Sequence, residues 1–290
     1  MPTFTTPDSI SATLDLFVGD IRITAADRAD TIVEVLPTDE SKADDVRAAE
    51  QTKVEYADGR LVVKGPKRLG HRIGMGPGRG ASVQIRIELP GGSTVHGSSA
   101  MGTFRCTGRL GDCEWSTGAG TISVEEADGL RLTCGGGDIT VGHATGDGRA
   151  TTGVGEVRVR RIDGDITIKN SAGNTWVGDA GGEVHVRSAS GDIVIDRAHA
   201  GVEAKTSAGK IRIGEVSEGS VVMQSAAGRL EIGVREGTAA WLDVQAVAGN
   251  VHNMLDASDG PGSADRTVDV RARTALGDIV IRRASLAAQE

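Results

Sequence analysis

The sequence predicts an all-β fold, a single-chain parallel β-solenoid (β-helix) built from two-strand rungs of ~18 residues. Three observations carry this expectation. First, glycine recurs at Gly102, Gly120, Gly137, Gly155, Gly173, Gly191, Gly209, Gly228, Gly249 and Gly277, in steps of 18, 17, 18, 18, 18, 18, 19, 21 and 28 residues. Second, apolar residues keep fixed offsets from that glycine. Two and four places beyond it stand pairs such as Ile122/Val124, Ile139/Val141, Ile193/Ile195 and Ile211/Ile213; seven and five places before it stand Ile166/Ile168, Val184/Val186 and Val221/Met223. Third, 42 glycines with only 2% aromatic residues fit a narrow core of small and β-branched side chains better than the Phe- and Trp-filled centre of a sandwich.

Each repeat therefore holds two short strands of period two, with one inward and one outward face. One repeat cannot bury its own face, so successive turns must stack and give one strand each to two parallel sheets. Roughly four inward apolar residues per rung, at about 1.5 to 3 kcal/mol each, drive the stacking before chain entropy is subtracted. Three places before the glycine runs a small, mostly polar column: Thr117, Cys134, Thr152, Asn170, Ser188, Thr206, Ser225, Ala246 and Thr274. These read as corner residues that hydrogen-bond along the stack, while the glycine accepts φ > 0 at the bend.

The organisation expected is an N-terminal β-rich capping region over 1–95, solenoid repeats over 96–283 and a tail over 284–290. The first region departs from the rhythm, although Leu14 to Ile23 repeats its pattern once. Strand-like runs at Thr31 to Leu36, Thr52 to Tyr56, Arg60 to Lys64 and Ser82 to Leu89 suggest an antiparallel elaboration, with a short helix at about 40–50 and a basic Gly-rich loop over 65–80. A cap is required because a bare terminal rung exposes a pairing-ready edge. Asp256 to Asp265 is a Gly-, Pro-, Ser- and Asp-rich loop interrupting the last coils.

No stretch approaches the ~20 apolar residues of a membrane-spanning helix, and the start lacks the basic-then-apolar order of a secretion signal, so the expected location is cytoplasmic. A net charge of -8 disfavours broad nucleic-acid binding. Cys106, Cys113 and Cys134 are odd in number and lack a Cys-x-x-Cys pair, and the six histidines are scattered; neither a disulfide framework, a metal site nor a cofactor is expected. Gly-Asp pairs (Gly137-Asp138, Gly164-Asp165, Gly191-Asp192, Gly277-Asp278) invite comparison with calcium-binding β-rolls, but Lys210 and Arg229 occupy the same column and would repel a calcium array. A carbohydrate-cleaving β-helix would need carboxylates clustered on one face, for which Asp138, Glu156 and Asp192 are the candidates; no aromatic sugar platform or His partner shares their column. No Gly-x-Ser-x-Gly elbow or phosphate loop is present, and no catalytic residue is assigned.

Two surface features remain. Three places after the repeat glycine, the outward column includes Arg158, Trp176, Val194 and Arg212, an aromatic and Arg grouping of the kind enriched at interfaces. The alternative for Trp176 is a cap or loop folded over it. Between Asp58 and Glu88 there are seven basic residues and no acid, and Lys64, Lys67, Arg68, Arg72 and Arg79 fall amid glycines. They form a candidate contact for an anionic partner such as lipid headgroups or an acidic protein, or else a solvated excursion between two strands.

The repeated signature, as in Ser188-Ala189-Ser190-Gly191-Asp192-Ile193-Val194-Ile195 and Thr206-Ser207-Ala208-Gly209-Lys210-Ile211-Arg212-Ile213, resembles the bacterial β-strand-repeat family of adhesin candidates, also called Toastrack-like. The resemblance spans nearly the whole chain, and the start is similar to actinobacterial members. It implies the fold, brings no catalytic residues, and points towards envelope-stress sensing or scaffolding, often beside membrane-anchored segments. The function expected is a non-catalytic cytoplasmic scaffold or protein-interaction module. Its alternatives are a self-assembling structural protein and, behind that, a carbohydrate-active β-helix.

Overall fold

A computed structural model describes residues 1–66, 81–256 and 266–284, with 26 strands and one α-helix among them. The all-β parallel solenoid is the fold observed. The chain divides into two compact units, Met1–Thr140 and Val141–Glu290.

In the first unit one long strand, Ser11–Ala26, serves both sheets. Ser11 to Asp15 pairs in parallel with Arg60–Lys64 and with Thr94–Met101, whereas Gly19 onward pairs in parallel with Val83–Pro90 and Phe104–Leu110. The crossing from sheet to sheet falls where Gly19 lies so close to Val83 that a Cβ would sit 2.6 Å from its carbonyl oxygen. Antiparallel pieces cover the outer edges: Asp30–Pro37 on Val83–Pro90, Thr3–Thr5 on Asp30–Pro37, and Lys53–Ala57 on Arg60–Lys64. The helix Ala43–Gln51 turns Ala48 and Asp45 inward, and the Asp45 carboxylate accepts a hydrogen bond from the Ser82 N–H at 2.9 Å. Phe104 and Trp115 stack inside at 4.1 Å, and Gly97 leaves the space the indole fills, since a Cβ there would meet the ring at 2.3 Å.

In the second unit the register repeats from rung to rung, with a shift between Ile213 and Val216 where Ile211–Val216 meets Leu230–Val234. Val184 pairs with Ile166 and Val202, and Ile193 pairs with Thr175 and Ile211, so both apolar columns continue rung after rung. Ile166, Ile168, Val184, Val186, Ile193, Ile195, Ile211 and Ile213 are all buried. The last rungs are not in chain order. Thr238–Ala248 and Val251–Asn253 form the outermost coil, and the later strands Arg266–Leu276 and Ile279–Arg283 are inserted between it and the coil of Gly219–Ala227 and Leu230–Val234. The outward column therefore runs Arg212, Glu231, Val280, His252, with Val280 and His252 exchanged relative to their order in the chain.

The repeat glycine is required twice over. Gly191 has φ of 132°, a region L side chains rarely adopt, and an added Cβ would lie 2.1 Å from the Gly173 carbonyl oxygen of the coil beneath. The polar column three residues earlier is inward and mostly buried, and it binds those crowded carbonyls: Ser225 donates to Gly209 O at 3.1 Å, Thr274 to Gly228 O at 3.0 Å, and the Asn170 amide to Gly155 O at 3.0 Å and Gly173 O at 2.9 Å. Gly191→Ala is expected to lower unfolding free energy by about 3 kcal/mol, whereas Gly136→Ala, with nothing within 4 Å of the added Cβ, should stay within about 1 kcal/mol; urea melts of the two variants decide it.

Candidate functional site

The candidate surface is built by four parallel strands of the second unit: Val157–Ile162, Thr175–Ala180, Ile193–Ala198 and Ile211–Val216. Period-two alternation buries Val157, Val159, Val177, Ile193 and Ile211 and turns the residues between them outward. The register pairs Arg158 with Trp176, Trp176 with Val194 and Val194 with Arg212, so the four sequence-predicted residues form one continuous outward column.

Within it Trp176 is half-buried and held at several points. Its indole N–H donates to the Asp196 carboxylate at 3.0 Å, and the Arg158 guanidinium lies 5.5 Å from the ring centroid. The ring lies against Gly178, where a Cβ would come within 3.0 Å of it. Arg158 is itself oriented by Glu156, 2.7 Å away. Val194 is half-buried and Arg212 exposed at the far side of the column. The four ladder residues share one repeat offset, whereas their supports Glu156, Gly178 and Asp196 lie at others and carry no column signal of that role. Asp196 lies one residue beyond the inward Ile195 of the next rung, at a different offset from Trp176, and the indole reaches it obliquely.

The second predicted contact is described only at Lys64, the exposed last residue of its strand, opposite Lys53 and Asp15 in register. Lys67, Arg68, Arg72 and Arg79 lie outside the described residues.

Of the carboxylates weighed for chemistry, Glu156 pairs with Arg158, and Asp192 and two other Gly-Asp carboxylates have backbone partners. Asp192 accepts from the Lys210 N–H at 2.8 Å, Asp278 from the Asn250 N–H at 3.0 Å and Asp165 from the Glu183 N–H at 2.7 Å; Asn174 does the same for Asp192 N–H at 3.0 Å. Asp165, Asp192 and Asp278 are thus corner clasps from one coil to its neighbour, which is why Asn substitutes for Asp at Asn174. Among the described residues no group of three or more His, Cys, Asp or Glu is arranged to hold a metal. The nearest groupings are ion pairs: His143 and Arg161 both meet Asp163 at 2.9 Å, and together they hold its carboxyl below the usual range, Arg161 contributing most. Glu203 is likewise held down by Lys205 first and by Arg187. All three cysteines are buried free thiols. Burial, with a smaller contribution from Glu125, pushes the Cys106 thiol up to about 12, and burial also raises Cys113.

Stacked two-strand coils joined at glycine corners, with chemistry-bearing side chains engaged in clasps and ion pairs, define a β-solenoid repeat protein whose outer columns are its varied surface. The chain belongs to the Toastrack DUF4097 family, whose sequence model matches residues 13–282. Among solved structures it is similar to an adhesin candidate from Parabacteroides merdae at 14% identity, covering 80% of this chain and 94% of that one, with a TM-score of 0.47. It is also similar to a candidate cell-adhesion protein from Clostridium sporogenes (12% identity, 97% and 98% coverage, TM-score 0.25). An adhesin candidate from Bacteroides fragilis gives 12% identity, 97% and 95% coverage and a TM-score of 0.33. Comparison with curated proteins gave no match. Among the described residues no helix is long and apolar enough to cross a membrane.

Two outcomes follow from the site's chemistry. A thiol reagent at mildly alkaline pH should label none of the three cysteines in the folded protein and all of them in denaturant, because burial removes access to all three and disfavours the thiolate of Cys106 and Cys113; labelling without denaturant would contradict the packing. Beneath Trp176, Thr175 occupies an inward apolar column with its hydroxyl unpartnered. Thr175→Val should therefore raise unfolding free energy by about 1 kcal/mol in a denaturant titration.

Proposed function

We propose that this chain is a non-catalytic interaction module whose outward column Arg158, Trp176, Val194 and Arg212 docks a protein partner. The observation that supports it most is the placement of Trp176. Its ring is braced by Gly178, its N–H is tied to Asp196, and Arg158 lies near its face, so it has little rotamer freedom left to lose on docking. Trp and Arg dominate the binding energy of measured interfaces. An Arg at each end of an apolar pair favours a partner patch that is apolar at its centre and acidic at its rim.

Non-catalysis is favoured by the engagement of two of the three carboxylates that an acid-base site would draw on, Asp192 with a backbone N–H and Glu156 with Arg158. The proposal keeps the basic stretch of Lys64, Lys67, Arg68, Arg72 and Arg79 as a second contact, for an acidic protein surface or anionic headgroups of a membrane approached from outside. It invokes no nucleic acid and no cofactor. The setting proposed is a cytoplasmic scaffold, and the resemblance of the repeats adds the link to envelope-stress or membrane-associated assemblies.

Trp176→Asp tests the reading. Affinity capture followed by quantitative mass spectrometry should show the specific partner lost, with affinity down by roughly a hundredfold, while the melting transition stays cooperative and close to that of the parent. Undiminished capture by the folded variant would overturn the proposal.

A further inference from the structure

We infer that the outermost coil of the second unit is a homodimer interface, closed by the same edge strand of a second copy running antiparallel about a two-fold axis at Val244. The surface is separate from the Trp176 column and the inference does not rest on it.

Thr238–Ala248 pairs with Arg266–Leu276 along one side; among the described residues no strand pairs with its other side. The companion strand Val251–Asn253 is likewise paired on one side only, by Ile279–Arg283. Along the stack the inward residue of each coil points its N–H to the next coil, as Val184 does to the Gly201 carbonyl and Cys113 to the Gly129 carbonyl, and the alternation reverses only at the corner, where Val247 and Ala248 both turn outward. In the outermost coil the N–H and C=O of Leu242, Val244 and Ala246 are therefore left on the open side. This eleven-residue edge contains no Lys, Arg, Pro or Gly and a single charge, Asp243. Beyond Asp243 it has none of the features that keep solitary edges apart. The first unit differs: there the outermost strands are Thr3–Thr5 and Lys53–Ala57, short and antiparallel, and a helix packs nearby.

The open coil is also incompletely covered. Leu242, Val244 and Ala246 face the core yet are only half-buried, whereas their register partners Val270, Ala272 and Thr274 are buried. On the outward face Trp241 is 61% and Val247 76% exposed, and Met254 stands exposed just beyond the companion strand.

The strand is complementary to itself in one register. Directly opposed residues in an antiparallel pair share a face, so the registers open to a two-fold pair are those centred on a residue. Centred on Val244, the inward pairs are Val244 with Val244 and Leu242 with Ala246. The outward pairs are Asp243 with Gln245 and Trp241 with Val247, each occurring twice. Apolar meets apolar, and each carboxylate meets an amide. Centring on Asp243 opposes two carboxylates; centring on Leu242 sets Trp241 against Asp243; centring on Gln245 sets Asp243 against Val247. A two-fold pairing consumes the edge in both copies, so it closes at a dimer and does not propagate.

The test uses the full chain. Sedimentation velocity from micromolar to hundred-micromolar concentrations should show a monomer–dimer equilibrium. Gln245→Asp, which places two carboxylates opposite each other twice, should raise the dissociation constant about tenfold, and Gln245→Lys should lower it. Val244→Cys should form a disulfide-linked dimer on oxidation, whereas Val247→Cys should not, because its mate is Trp241; the native thiols are buried and do not compete. Trp176→Asp should leave the dimer intact, which separates this interface from the partner surface. A monomer throughout the range, a dimer indifferent to both Gln245 substitutions, or crosslinking through Val247→Cys instead of Val244→Cys would overturn the inference.

Discussion

The constraint on which the fold depends is the approach of one glycine corner to the carbonyl of the glycine corner below. Neighbouring strands sit about 4.8 Å apart, and at a bend that spacing leaves no room for a side chain on the inner side. A Cβ on Gly120, Gly137, Gly191 or Gly209 would lie about 2 Å from the carbonyl oxygen of the preceding coil. The crowded carbonyls still need partners, and the buried Thr, Ser and Asn column supplies donors to them. Outside the corner the Asp and Asn clasps do the same for N–H groups. Three sequence features that look independent, glycine, small polar residue and Asp, are thus consequences of turning a chain sharply and stacking the turns.

That economy explains what the sequence revealed and what it hid. The columns were legible because a solenoid repeats each environment at a nearly constant offset, so Ile193 and Ile211 announce each other as neighbours without any structure. Rung order at the end was not legible. The coils ending at Gly249 and Gly277 satisfy the same columns, and spacing alone does not say which lies against Gly228. The contacts show that Gly277 does, with Gly249 resting on Gly277 in turn. Weakening columns were the available signal: Ala246 replaces the small polar residue and Asn253 an inward apolar one, as suits a coil with a neighbour on only one side. The Gly-Asp pairs were legible as corners, but their carboxylates' partners are backbone groups, which carry no sequence signature.

The candidate surface was legible in part for the same reason. Arg158, Trp176, Val194 and Arg212 share one offset and so appear as a ladder. Asp196 and Gly178 lie at a different offset from Trp176 and meet it only because an indole is long enough to cross from one column towards the next. Column reading captures contacts along the stack; contacts oblique to it depend on side-chain length and rotamer, which a list of offsets does not contain.

The same physics separates structural from selectable positions. Inward columns are fixed by packing, corner positions by the glycine approach, and the Asp column by its N–H partners. Outward columns carry few such obligations, so a residue costly to leave there, such as a large aromatic beside Arg, calls for an explanation that packing of the coil does not provide. Edges follow a related logic. A repeat architecture can be extended wherever a coil is bare, and the short antiparallel strands of the first unit blunt that tendency with local pairing. The coil carrying Trp241 and Val247 shows no such blunting. Its exposed backbone and half-covered interior are the shortage of neighbours that the inner coils have satisfied, and the shortage is met at least cost by a surface already shaped to the same strand: that strand itself, turned about.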